Sequence, residues 1–118
     1  MNYALLIYGD DSAWVDLPDE EKMALRADEM PQWNALMEEL AKADPNVAGK
    51  ELDGRYTAKV VQVRDGERIV TDGPFAETKE ILGGVFLTDL PDLDEAIRLA
   101  SLIPSARHGA IEIRPVLQ

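Results

Sequence analysis

Six consecutive residues near the start of the chain, Tyr3-Ala4-Leu5-Leu6-Ile7-Tyr8, carry no charge and show no alternation of polar with apolar. Alternation marks a strand with one wet face, so a run without it predicts a strand that needs cover on both. That demand is severe in 118 residues, which have room for one domain, 1–118, and one core.

The remaining elements follow from spacing and punctuation. Gly9-Asp10-Asp11-Ser12 ends the first strand, and a helix is predicted from about Pro18, with Asp19, Glu20 and Glu21 suiting its N-terminal dipole. Met23, Ala27, Met30, Trp33, Met37 and Leu40 recur at three or four residues, which predicts one core-facing stripe. Pro31 lies within that stripe and is expected to kink or split the helix near Met30. Asp44-Pro45-Asn46 signals a turn, and Val47 to Leu52 a weak strand. Thr57 to Val63 and Arg68 to Thr71 read as strands joined at Asp65-Gly66, a pair that tolerates the positive φ of a tight hairpin. One reading of the stretch that follows is a solvated loop with a helical turn at Glu77 to Leu82, and a strand is expected from Gly84 to Leu90. Asp92 with Glu95 makes a capping box for a second helix, whose stripe is Leu93, Ala96, Ile97, Ala100 and Ile103. Ala110 to Val116 closes the chain as a strand, with Ile111 and Ile113 on one face and Glu112 and Arg114 on the other.

The order β-α-β-β-(β)-β-α-β predicts an α+β, ferredoxin-like split βαβ: an antiparallel sheet of four or five strands with two main helices on one face. Two helices hide one face only, and no element remains to cover the other side of Tyr3–Tyr8. A second copy of the sheet is the simplest cover, which predicts a homodimer through the open face.

Composition excludes several classes of function. With 23 acidic against 12 basic residues the formal net charge is −11. Nucleic-acid affinity comes largely from Lys and Arg neutralising phosphates, and anionic membranes attract the same residues, so neither is an expected partner. The chain has no cysteine and one histidine, which leaves no disulfide, no thiolate nucleophile and no ligand set for a transition metal. No phosphate-binding glycine loop or cofactor motif is present, so no metal and no cofactor are expected. The first apolar run is too short for a secretory signal, and nothing approaches a membrane span, which makes the cytoplasm the expected location.

The densest chemistry lies in Asp72-Gly73-Pro74-Phe75-Ala76-Glu77-Thr78-Lys79-Glu80, where Gly73-Pro74 stops any strand and four ionisable groups surround one aromatic. Asp72, Glu77 and Glu80 are the candidate acid/base residues, provided burial beside Phe75 moves a carboxylate pKa. Phe75 is expected to be buried as the anchor of an ordered loop. Tyr8, Phe75, Lys79, Glu112 and Arg114 are the candidate ligand contacts, with Lys79 and Arg114 suited to an anionic or carbonyl group. The competing account of the same residues is a set of ion pairs tying loop to sheet.

D-G-P-F-A-E-T-K-E also resembles, letter for letter, the signature of the DGPF group of the YCII-related family. The likeness continues in Tyr3–Tyr8, Val63-Arg64-Asp65-Gly66, Pro91-Asp92-Leu93-Asp94-Glu95-Ala96 and Ile111-Glu112-Ile113-Arg114-Pro115, so it spans nearly the whole chain. It implies a ferredoxin-like fold paired into a dimeric α/β barrel, and an association with extracytoplasmic-function sigma factors. On that basis the expected function is a homodimeric ligand-binding or regulatory accessory module, with a small-molecule ligand or a protein partner in sigma-factor regulation. The alternative is an enzyme acting on a small polar substrate through the loop carboxylates. The resemblance also implies, in some relatives, a catalytic His-Asp pair near the first helix. This chain has no histidine there; His108 precedes the last strand and reads as a turn residue.

Overall fold

The computed structural model of the chain describes residues 1–117, the side chain of Ala13 excepted. Its strands are β1 (Asn2–Gly9), β2 (Ala48–Glu51), β3 (Lys59–Arg64), β4 (Glu67–Asp72), β5 (Ile81–Asp89) and β6 (Ala110–Pro115). Its helices are α1 (Ser12–Val15), α2 (Asp19–Ala43) and α3 (Leu93–Ser101). β2, β5, β1 and β6 form one antiparallel sheet in that spatial order, while β3 and β4 pair only with each other in a separate hairpin. With the hairpin set aside, the sheet and its two long helices are consistent with a ferredoxin-like α+β fold. The hairpin is thus an excursion between β2 and β5, and not the fifth strand of the main sheet that was one expectation.

Alternation along the strands decides what the helices cover. Tyr3 and Leu5 of β1 are buried with Phe86 of β5, and Ile111 and Ile113 of β6 pack beside them. Leu36 and Leu40 of α2 and Ala96 and Leu99 of α3 close this core from the helix side. The opposite face carries Ala4, Leu6, Val85 and Leu87, which among the described residues take no part in the core that the helices close. Here Leu87 remains half exposed, at 50%.

Two features of α2 differ from expectation. The helix runs unbroken through Pro31. A proline removes one backbone bond, and the long segments on both sides keep theirs, so no split results. Its buried stripe keeps the predicted Trp33 and Leu40 but is otherwise a different one. Leu36 and Leu40 are fully buried and Trp33 and Ala43 half-buried, whereas Met23, Met30 and Met37 face outward at 71%, 49% and 42% exposure. In α3 the predicted Ala96, Ala100 and Ile103 are buried, and Leu99 replaces Leu93 and Ile97 on the inner face.

Caps and turns follow the chemistry of their residues. Asp92 accepts the Glu95 amide at 2.9 Å, the first half of the capping box. Asp65 and Gly66 both have positive φ, 52° and 76°, as a tight hairpin turn requires. Glu77 to Leu82 forms bends and the start of β5, not the helical turn that was one reading. The buried carboxylate of Asp44, past the end of α2, accepts the amides of Asp89 at 2.9 Å and Asn46 at 3.0 Å and the Thr88 hydroxyl at 3.2 Å. It thereby ties the helix terminus to β5. No helix among the described residues is long and apolar enough to cross a membrane.

Candidate functional site

The three candidate acid/base residues and the five candidate ligand contacts lie on two parts of the structure. The first is the open face of the sheet. β1 pairs with β6 so that Leu6 faces Glu112, Ala4 faces Arg114 and Tyr8 faces Ala110. Because side chains alternate, Tyr8, Glu112 and Arg114 share the face opposite Ile111 and Ile113. Arg114 Nε donates to Glu112 Oε2 at 2.5 Å. That hydrogen bond first, and the charge of Glu112 second, hold the guanidinium above its ordinary pKa, and the nearby Tyr8 acts in the same direction. Among the described residues the other guanidinium nitrogens have no hydrogen-bond partner.

The second part is the signature loop, and it is built otherwise than its residue types implied. Lys59 Nζ donates to the Asp72 carboxylate across the root of the hairpin. This bond, followed by the lysine's charge, lowers the Asp72 pKa, the wrong direction for a proton donor near neutrality. Phe75 is 79% exposed, which overturns its expected burial as the loop's anchor. Glu77, Lys79 and Glu80 are exposed as well. The desolvation that an acid/base role would require is absent around them in the single chain.

What orders the loop is Arg55, in a 3-10 turn immediately before β3. Its Nη1 donates to the Thr78 carbonyl at 2.9 Å and its Nη2 to the Lys79 carbonyl at 2.8 Å. Its Nε donates to Asp11 Oδ1 at 2.5 Å, and its backbone amide to Asp11 Oδ2 at 2.8 Å. Nη2 also approaches Asp10 Oδ1 at 3.4 Å. One planar cation therefore ties the end of β1, the start of β3 and the loop after β4 into a single knot. The side chain is only 23% exposed, and its nitrogens are committed to these partners, so it clamps structure instead of receiving a ligand. Asp10 in turn accepts the Ser12 hydroxyl and amide, which lower its pKa ahead of the charges of Arg55 and Lys79.

Sequence reasoning missed Arg55, Asp10 and Asp11. The carboxylates lie 44 and 45 residues before the arginine and the carbonyls 23 and 24 after it, so no local pattern links them. Beside the knot lies a surface cleft of about 320 Å³, bordered by Gly54, Ala58, Pro74, Ile81 and Leu82. It is near the lower limit of small-molecule sites. Among the described residues no three His, Asp or Glu side chains converge on a point where a metal could sit. His108 caps the turn before β6, its Nε2 3.3 Å from Glu29 Oε1 at the surface.

Comparison with known proteins identifies the family. The family model described as the YCII-related domain matches residues 1–118. An uncharacterized protein of Rhizobium meliloti (strain 1021) is 39% identical over 121 aligned positions, which cover 98% of this chain and 92% of that relative. The chain belongs to the YCII-related family.

Proposed function

We propose that the chain is a homodimeric binding module, paired through the open face of its main sheet, that takes a small ligand bearing an anionic or carbonyl group. The observation that carries this is the Tyr8–Glu112–Arg114 group, set on the sheet face opposite the core that the helices close. Glu112 engages one edge of the guanidinium, and the remaining nitrogens keep the geometry for a planar two-pronged contact. A second sheet laid on Ala4, Leu6, Val85 and Leu87 would remove apolar surface from water and bring this group into a closed space. A regulatory role fits better than catalysis, because Asp72 is held ionised by Lys59 and Glu77 and Glu80 are exposed. The association with extracytoplasmic-function sigma factors that the resemblance implies is what suggests a protein partner in such a system. The charge of −11 points the same way, away from direct contact with nucleic acid.

The test is light scattering for the dimer, with calorimetric titration of acetate, citrate and inorganic phosphate into the parent, Arg114→Ala and Glu77→Gln. We expect a dimer, and about a tenfold weakening by Arg114→Ala alone. A monomeric parent would remove the dimer. Turnover of any small polar substrate that Glu77→Gln abolishes with the fold intact would favour the enzyme.

A further inference from the structure

The β3–β4 hairpin stands apart from the main sheet. Its strands pair only with each other, and a lone two-stranded hairpin is marginal in water. Side-chain alternation gives it two unlike faces. Val61, Val63 and Val70 share one, at 61%, 61% and 55% exposure, edged by Lys59, Arg68 and Asp72. Three exposed valines on a segment that contributes nothing to the core have no purpose within this subunit.

We propose that the hairpin is an intersubunit arm whose Val61–Val63–Val70 face packs against a second copy of the chain. The inference rests on the homodimer proposed above and adds the arm to it. Charge supports this occupant. Residues 59–72 hold Lys59, Arg64 and Arg68 against Asp65, Glu67 and Asp72, a net charge of zero inside a chain of −11. Two such chains repel overall, and the neutral arm is a segment that can meet a second acidic copy without that opposition.

Area supports it too. A standard interface takes about 20–30 residues from each side, and the open sheet face supplies only about ten. One arm face adds about six, and Phe75, three residues past the end of β4, is exposed as well. Shape agrees: the radius of gyration is 16.3 Å, where a compact chain of this length has about 13–14 Å.

The root of the arm is tied down by hydrogen bonds. Arg55 stands just before β3 and grips the Thr78 and Lys79 carbonyls that follow β4, and the Gly73 amide donates to the Ala58 carbonyl at 2.9 Å between them. An arm fixed at its base loses less freedom on docking, which favours association.

The test exchanges the apolar pair Val61 and Val70, which face each other across the hairpin, for Val61→Lys with Val70→Glu. Opposite charges on facing strands keep the hairpin and its net charge, while burying them against a partner is costly. Sedimentation velocity over a dilution series reads the dimer, and circular dichroism checks the fold. The expected result is a dimer weakened about tenfold or more with the fold retained. Hydrogen exchange on the unaltered chain is the second measurement, with β3 and β4 amides losing protection as the dimer is diluted apart. An undiminished dimer in the variant, or arm protection that is the same in monomer and dimer, overturns the arm and leaves the dimer standing. A parent that is monomeric throughout overturns both.

Discussion

Asp44 gives the sharpest test of how this fold is held together. Its carboxylate is 8% exposed and accepts three hydrogen bonds, from the amides of Asp89 and Asn46 and the hydroxyl of Thr88, itself 2% exposed. Bonds to a charged group are worth about 1.5–3 kcal/mol each, and a buried donor left unpaired costs about 1–3 kcal/mol. Asp89 and Asn46 are exposed residues whose amides recover part of their bonding from water, so the three terms do not add in full. Asp44→Ala is therefore expected to destabilise by about 2–4 kcal/mol, a fall in Tm on the order of 10 °C for a domain of this size. The amide of Asp89 is the largest of the causes that lower the Asp44 pKa below its ordinary 3.8. A carboxylate depressed in the folded state stabilises fully above its unfolded pKa and ceases to do so as pH falls through the folded one. The gap between the parent and Asp44→Asn should then be wide at neutral pH and narrow as pH falls below the ordinary 3.8 and through the lower folded value. Urea unfolding at fixed protein concentration at neutral and acid pH measures it, and the difference between the two chains cancels every other carboxylate. A variant within about 0.5 kcal/mol of the parent at neutral pH, or a gap indifferent to acid, would refute the role given to Asp44.

Two further substitutions probe the packing. Leu36→Ala should cost about 2–5 kcal/mol because that side chain is fully buried, and Met37→Ala about 1 kcal/mol or less; equal losses in chemical denaturation would contradict the observed face of α2. Gly109→Ala would set a Cβ 2.1 Å from the Tyr8 carbonyl oxygen, so the turn before β6 must move, at about 1–3 kcal/mol; an unchanged urea midpoint would count against so close an approach.

The residues expected to form a site were legible as chemistry and only partly as geometry. Glu112 and Arg114 were placed correctly beside each other and opposite Ile111 and Ile113, because strand alternation is a local rule. Phe75 was misplaced because an aromatic within a charged loop says nothing of whether its own chain has a surface to receive it. Arg55 was invisible for the opposite reason. Its partners are two backbone carbonyls and two carboxylates, groups that many other residues also offer.

Local physics written in consecutive residues settled the element order, the Asp65-Gly66 turn and the Asp92 cap. Each depends on backbone propensity or on a period of two, and neither needs a distant partner. Tertiary structure alone set Leu36 and Ala43, and not Met23, Met30 and Met37, beside the expected Trp33 and Leu40 on α2, since both sets keep a helical spacing. A helix apolar on both sides has no preferred side until a sheet is laid against it. Tertiary structure also set β3 and β4 apart from the main sheet, because a strand's pattern records that it pairs and not with whom.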